Sequence, residues 1–291
     1  MRIGTRGSEL ALVQARWVAS RIAQDTEIVT VTTSGDRGAV EQDKSRWVSE
    51  LEHALLSGEI DIAVHSAKDV PAELPDGLAL LGFSPRLDPR DVICGARSLR
   101  ALPEGARVGT SSLRRAAQLR ALRPDLEVVP VRGNVDTRLR KLQEGQADAL
   151  ILARAGIERL GRGDEIGGVL EELVPAAGQG ALAIEARTES DLTGALAAAI
   201  DPEASACVSA ERELVHALHA TCNTPVGAYA QLDPGSGELE LEAWVGLPDG
   251  SVWISDRLRG PAAGLGRAVA QRLVLTGARE LLEQAERMVA A

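Results

Sequence analysis

Aromatic side chains are nearly absent from this chain: four tryptophans, one tyrosine and one phenylalanine in 291 residues. The core must therefore be built from Leu, Val, Ile and Ala. Little is left on which to stack nucleobases, which weighs against single-stranded nucleic-acid binding. Lysine is scarcer still. Of 32 basic residues only Lys44, Lys68 and Lys141 are lysine, and the rest are arginine. Much of that excess reads as compositional bias, yet arginine is also the better bidentate partner for carboxylate or phosphate. The three cysteines, Cys94, Cys207 and Cys222, are an odd number without CxxC spacing. They point to reduced thiols in a cytoplasmic protein rather than a disulfide framework. The four histidines show no HExxH spacing, so no metal site is expected. No apolar run approaches the ~18 residues of a membrane span. Met1-Arg2-Ile3-Gly4-Thr5 leads straight into structure without the apolar stretch of a signal peptide. No membrane partner is expected.

What is present is an ordinary globular balance, 45% hydrophobic and 25% charged, which excludes a disordered or collagen-like chain. At about 150 residues per domain the length suggests two domains, or three small ones. The first 200 residues alternate short β-like runs with helical patterns. Strands are expected at Arg2–Thr5, Ile28–Thr33, Asp61–His65, Ala79–Gly82, Val92–Cys94, Arg107–Gly109, Glu127–Val131 and Ala149–Ala153. Ser8 can N-cap a helix carrying Leu10, Val13, Trp17, Val18 and Ile22 at helical spacing. Further helices fit Trp47–Leu56, Ser112–Leu122, Val135–Glu144 and Ala155–Leu160, with a mobile loop over 35–46. This is α/β alternation with largely parallel sheets. From about Glu203 the order becomes helix, three antiparallel strands (Val226–Leu232, Glu238–Val245, Ser251–Ser255) and a long helix, Leu265–Arg287. That reads as a small α+β domain.

The net charge of −10 hides a segregation. Between Arg107 and Lys141 nine cations stand against three anions, a basic stretch within an acidic chain. Such a focus suits a discrete anion better than general adhesion to nucleic acid. Gly109-Thr110-Ser111-Ser112-Leu113-Arg114-Arg115 runs from a strand end into a helix start, where hydroxyls, backbone N–H groups and the helix dipole converge. Arg132-Gly133-Asn134 repeats the theme and leads to Arg138. Ligands of α/β sheets gather at the carboxyl ends of strands. There is no GxxxxGKS/T and no GxGxxG after a strand, so a nucleotide site lacks its usual supports. Arg120, Arg123 and Arg140 read as solvated helix charges.

Two further places bear chemistry. Lys68-Asp69 stands in a strand-end loop closed by Pro71. A surface ion pair is the ordinary reading, but a carboxylate beside a guanidinium-rich pocket could stabilise a cation and move protons. Cys222 sits on a polar loop between a helix and a strand. It is either buried filler or a reactive thiol. Cys94 and Cys207 read as structural.

The set Arg2-Ile3-Gly4-Thr5-Arg6-Gly7-Ser8, Val64-His65-Ser66-Ala67-Lys68-Asp69-Val70-Pro71, Gly109–Arg115, Arg132-Gly133-Asn134-Val135-Asp136-Thr137-Arg138-Leu139, Pro175-Ala176-Ala177-Gly178-Gln179-Gly180-Ala181 and the Cys222 loop resembles the porphobilinogen deaminase (hydroxymethylbilane synthase) family. The motifs occur in the family's order from Arg2 to the final domain. The resemblance implies two α/β domains of the type II periplasmic-binding-protein kind around a cleft, 1–84 with 181–201 and 88–176, plus a third over 204–291. Hinges would fall near Ser84–Asp88 and Ala176–Gly180. It implies an enzyme that deaminates porphobilinogen and condenses four units on a dipyrromethane cofactor, thioether-linked to Cys222, then releases hydroxymethylbilane by hydrolysis.

By the same resemblance Asp69 is the catalytic carboxylate, aided by Lys68, and stabilises the azafulvenium formed as ammonia leaves. Lys68, Asp69, Thr110, Ser112, Arg114 and Arg115 hold the cofactor. Arg6, Ser8, Arg132, Arg138, Arg159 and Gln179 bind porphobilinogen and the growing chain. A monomer without nucleic-acid, membrane or metal partners is expected. Each pyrrole brings two carboxylates, which accounts for a cleft of bidentate guanidiniums.

Three positions depart from the family's pattern. Thr33-Ser34-Gly35-Asp36 lacks the arginine of Thr-Arg-Gly-Asp. Asp43-Lys44-Ser45-Arg46-Trp47-Val48-Ser49-Glu50 replaces a Gly-Lys-Gly-rich run into Phe-x-Lys-Glu. Ala220-Thr221 replaces Gly-Gly before the cysteine. The first two touch chain elongation, and the third leaves less room around the thiol. Two other classes fit the chain less well. A non-catalytic anion receptor on the same scaffold leaves the extra domain with Cys222 unexplained, and an RNA-binding module conflicts with the acidic remainder of the chain.

Overall fold

The structure, a computed structural model, describes residues 1–31, 46–221 and 224–290. Cys222, Thr33-Ser34-Gly35-Asp36, Lys44 and the loop expected over 35–46, Arg46 apart, lie outside the described residues. β1 (Arg2–Thr5) opens the chain, and Ser8 caps α1 (Glu9–Ala19) by accepting a hydrogen bond from the Ala11 N–H. Then come β2 (Glu27–Thr30), α2 (Arg46–Leu56), β3 (Ile62–Ser66) and β4 (Leu78–Phe83). The chain crosses to a second sheet and builds β5 (Asp91–Cys94), β6 (Arg107–Gly109), α3 (Leu113–Leu122), β7 (Glu127–Val129), α4 (Val135–Gln143), β8 (Ala149–Ala153), α5 (Arg154–Arg159) and β9 (Gly168–Leu170). It returns through β10 (Leu182–Arg187) and α6 (Thr193–Leu196). Last come α7 (Pro202–Ala217), β11 (Val226–Leu232), β12 (Leu239–Gly246), β13 (Trp253–Gly260), α8 (Leu265–Leu275) and α9 (Ala278–Ala290). No described helix is long and apolar enough to cross a membrane.

The first sheet has the order β2-β1-β3-β10-β4 and the second β7-β6-β8-β5-β9. These are one topology used twice, the type II periplasmic-binding-protein arrangement. In each sheet the fourth place is taken by the first strand made after a crossing, β5 outbound and β10 on return. That strand runs antiparallel to both neighbours. The expectation of largely parallel sheets is thus corrected: each sheet holds two parallel and two antiparallel pairs. β10 itself escaped sequence reading, because its partners β3 and β4 lie about a hundred residues upstream.

Helices cover both faces of each sheet. Ile3, Ile62, Val64 and Ile184 pack towards α1, while Ala63 faces Leu51 and Leu55 of α2. Cys94 fills the α4 side of the second sheet and Cys207 the third core. Burial pushes both thiols up to about 11, as befits inert filler. The third sheet, β11-β12-β13, is antiparallel and sits against α7, α8 and α9. Two expectations change here. The last strand spans Trp253–Gly260 because it pairs along the whole of β12. The single helix Leu265–Arg287 is two, broken where Gly277 adopts φ +99°.

The outbound and return crossings run side by side. The Leu87 N–H donates to the Gly180 carbonyl (3.2 Å) and the Leu182 N–H to Ser84 Oγ (3.0 Å). Gly180 sits at φ +96°, and a Cβ there would overlap the Leu87 carbonyl oxygen. Gly180→Ala is therefore expected to destabilise the fold by about 2 kcal/mol or more through backbone strain and overpacking. Urea denaturation checks this, with a compensating shift of the crossings read as altered cleavage of residues 84–90 by protease.

Candidate active site

The carboxyl ends of strands from the first two sheets point their following loops at one cleft. After β1 come Arg6, Gly7 and Ser8, the last acting as cap of α1. After β3 a single 3₁₀ turn, Ala67–Asp69, carries Lys68 and Asp69 and ends before Pro71, which cannot continue it. Gln14 Nε2 of α1 donates to Ser66 Oγ (2.8 Å), locking the start of that turn. Asp69, Arg6, Ser8 and Ser66 line one cavity of about 80 Å³.

The second sheet contributes the opposite wall. β6 ends at Gly109, and Ser112 caps α3 by accepting the Arg115 N–H (3.5 Å), while Thr110 Oγ1 accepts the Ser112 N–H (3.2 Å). The Asn134 side chain caps α4 by accepting from the Thr137 N–H (2.8 Å), setting Arg132 before that helix and Arg138 on its second turn.

Arg114 and Arg115 are buried, and their chief partner is one the sequence did not single out. Asp91, wholly buried at the start of β5, takes Arg115 Nε (3.0 Å) and Nη2 (2.8 Å) on Oδ1, with Arg114 Nη1 2.8 Å from Oδ2. Arg115 Nη1 donates to the Ile151 carbonyl and Arg114 Nη1 to that of Val174. Arg114 Nε is buried without a hydrogen bond. A lone acid opening the apolar run Val92-Ile93-Cys94 was the available clue, since a buried acid must be paired.

Gln179, on the return crossing, completes this network. Its Nε2 donates to the Pro89 carbonyl (2.6 Å) and Asp91 Oδ1 (2.8 Å), and its Oε1 lies 3.4 Å from Lys68 Nζ and 3.5 Å from Arg115 Nη2. Both amide donors are thus committed to protein acceptors. Gln179, expected by resemblance to bind substrate, bridges the Lys68 turn and the Asp91 network.

Three other guanidiniums have donors to spare. Arg138 gives only Nε, to the Gly133 carbonyl (2.7 Å), and Arg159 only Nη2, to that of Gly180 (2.8 Å), among the described residues. Arg132 is exposed and makes no ion pair within that set. Burial pushes Arg138 down to about 10, the charge of Arg115 adds to this, and Asp69 opposes it. Burial likewise pushes Arg159 down to about 10. Asp69, Arg115 and Arg138 therefore share one electrostatic neighbourhood. Half-buried cations without acid partners create a demand that an anionic ligand meets. Acetate and propionate arms of a pyrrole cofactor fit this donor set, as does the unused Arg114 Nε. No group of three or more His, Cys, Asp or Glu among the described residues is placed to hold a metal ion.

On the approach to Cys222, α7 ends and His219 turns into the left-handed region at φ +52°. Thr221 and Thr224 clasp each other across the cysteine's position, the Thr224 hydroxyl donating to the Thr221 carbonyl (2.7 Å) and accepting its N–H (2.9 Å).

Comparison with known proteins bears on the same residues. The family model "porphobilinogen deaminase, dipyromethane cofactor binding domain" matches residues 1–194, and that of the porphobilinogen deaminase C-terminal domain matches 205–275. Porphobilinogen deaminases of Deinococcus radiodurans and Chromobacterium violaceum are each 47% identical, covering 97% and 96% of both chains respectively. That of Thermus thermophilus is 46% identical over 97% of this chain and 98% of its own. Among solved structures, the periplasmic VFT2 domain of Bordetella pertussis BvgS aligns with 68% of this chain and 84% of its own, at 18% identity and TM-score 0.38.

Burial alone raises the Asp91 carboxyl, but the charges and hydrogen bonds of Arg114 and Arg115 outweigh it and hold Asp91 well below the usual carboxylate range. Its folded value is depressed, so the stabilisation is complete above the unfolded value near ~3.9 and is lost as pH falls below it. Asp91→Asn should cost about 3–5 kcal/mol at neutral pH by stranding two buried cations. The gap from the unaltered protein should narrow below about pH 4, as urea titrations at several pH values would measure.

Proposed function

The chain belongs to the porphobilinogen deaminase family, and on that premise we propose how its own residues divide the work. It is an enzyme that deaminates porphobilinogen and condenses four units stepwise on a covalently bound dipyrromethane primer, releasing hydroxymethylbilane by hydrolysis. When bound, the dipyrromethane contributes a nucleophilic pyrrole carbon and carboxylate arms by which it can be held.

Cys222 forms the thioether link. The reading is supported by its place in the sequence, on the loop that follows α7 between Thr221 and Thr224, whose side chain and backbone clasp each other. Lys68, Thr110, Ser112, Arg114 and Arg115 hold the acid arms of the primer, with Arg114 and Arg115 set in place by Asp91. Arg6, Ser8, Arg132, Arg138 and Arg159 receive the carboxylates of incoming porphobilinogen and of the lengthening chain. Gln179 keeps Lys68 and the Asp91 network in register across the return crossing. Asp69 accepts pyrrole N–H groups and stabilises the cation that develops as ammonia leaves. A carboxylate does this best where water is excluded and the charge forms in place. The observation that carries the reading is Asp69 acting on the half-buried guanidinium of Arg138, which makes no ion pair among the described residues. The same reading takes the protein as a cytoplasmic monomer with reduced thiols, its lobes meeting within one chain.

Intact mass spectrometry of the purified holoenzyme tests the attachment. A covalent adduct of two pyrrole rings is expected, and Cys222→Ser should abolish it. A bare polypeptide mass with no colour in Ehrlich's reagent, from protein that turns over porphobilinogen, would remove the thioether assignment. Asp69→Ala should still bind substrate but turn over at least ~10²-fold more slowly. Steady-state kinetics showing near-normal kcat would reassign the carboxylate.

A further inference from the structure

One group of buried titratable side chains takes no part in the scheme above. His65 of β3 and Glu185 of β10 meet beneath α2, with the imidazole Nε2 2.9 Å from Glu185 Oε2. In the antiparallel register Ala183 stands opposite His65 and Ala63 opposite Glu185, so the two side chains rise diagonally from one face of the sheet. Glu185 is fully buried, and its second oxygen receives no hydrogen bond from the described residues. Glu52 of α2, also buried, is pushed up to about 7 by burial first and then by the charge of Glu185. Bare charges in such surroundings each cost several kcal/mol, which favours arrangements in which protons are distributed among neighbouring groups.

The cluster has an outlet. His65 lines the cavity that also holds Asp69, Arg6, Ser8 and Ser66, whereas Glu52 and Glu185 do not line it. When Nε2–H donates to Glu185, the other ring nitrogen is left as an acceptor. Each condensation needs such an acceptor. The aminomethyl carbon of porphobilinogen forms a C–C bond to a pyrrole carbon. The aminomethyl nitrogen, protonated as ammonium, leaves as ammonia with the electrons of the C–N bond. The electrons of the C–H bond on the pyrrole carbon that forms the new bond return to its ring, and that C–H proton is left for a base.

We propose that His65, oriented by Glu185, is a positioning residue that carries this proton away from the Asp69 cavity. Glu185 offsets the charge that appears on the imidazole, and Glu52 lies behind it as a further proton-holding group. The inference rests on Asp69 being the carboxylate of the reaction. The charged groups about His65 are Glu185 from β10, Glu52 from α2, Asp69 from the turn after β3, and Arg6 just after β1. Arg212 of α7 lies within the field of Glu185.

The test compares His65→Gln, Glu185→Gln, Glu52→Gln and Asp69→Asn as holoenzymes, with kcat and KM followed across pH. For His65→Gln, kcat is expected to fall by about 10²-fold with KM unchanged, and the acid limb of kcat to flatten. Glu52→Gln should displace that limb. Ring signals of His65, assigned among the four histidines by their loss in His65→Gln, should change over the same pH interval as kcat in the unaltered enzyme and move with it in Glu52→Gln. A folded His65→Gln enzyme with an unchanged profile would overturn the proposal, as would a rate loss that merely follows a lowered Tm. If His65→Gln does not fold, an unmoved limb together with unmoved His65 signals in Glu52→Gln overturns it equally. Near-normal turnover of Asp69→Asn would instead remove the underlying reading of the site. An inactive Asp69→Asn beside an unaffected His65→Gln removes the relay alone.

Discussion

The carboxylate of Glu211 is the point at which the three sheets are tied together. It is wholly buried on α7 and accepts Arg86 Nη1 (2.6 Å) and Nη2 (3.2 Å), the Gly178 N–H (2.7 Å) and the Ala230 N–H (2.7 Å). Those donors come from the outbound crossing, the return crossing and β11. One charge thereby joins the third lobe to both crossings between the other two. Arg212, the next residue, gives Nη1 to the Val70 carbonyl and Nη2 to that of Pro71 (3.0 and 2.6 Å). The helix that leads to Cys222 therefore also grips the segment that follows Asp69. A buried ion pair is not in itself a large source of stability. Its value here is geometric, since backbone donors fill the rest of the carboxylate and leave it one arrangement.

The same reasoning explains the cleft. Burying guanidiniums is unfavourable unless acids meet them, and among the described residues Asp91 pairs with Arg114 and Arg115. Among the described residues Arg138 and Arg159 have carbonyl partners and spare donors. An enzyme whose substrate carries carboxylates can leave that demand open, because the ligand satisfies it. The overall charge of −10 is compatible with this. The stretch from Arg107 to Lys141 keeps a local excess of cations within an acidic chain.

Much of this was legible along the chain. Arg2–Thr5, Arg107–Gly109, Ala149–Ala153 and Val226–Leu232 are strands at the expected bounds. Ser8 and Ser112 cap the helices that follow them. Local rules decide such elements: alternation, a capping hydroxyl, a glycine at the turn. β10 and Asp91 were not legible as what they are. A strand whose partners lie a hundred residues away has no local signature, and a buried acid reveals its partner only when the chain has folded. Gln179 is the instructive case. Its motif marked it as important, but only the crossing of two segments shows that its amide joins protein to protein.

By itself the sequence determined which local elements form, where the basic stretch lies and which family's motifs the chain carries in order. These depend on neighbours a few residues apart, or on residue identity alone. Tertiary structure decided the mixed direction of both sheets, the pairing of the two crossings, and which arginines are tied to Asp91 and which keep donors for a ligand. It also decided that His65 meets Glu185 beneath α2. Each of these is a contact between segments far apart in the chain, set by how the sheets close around their cores.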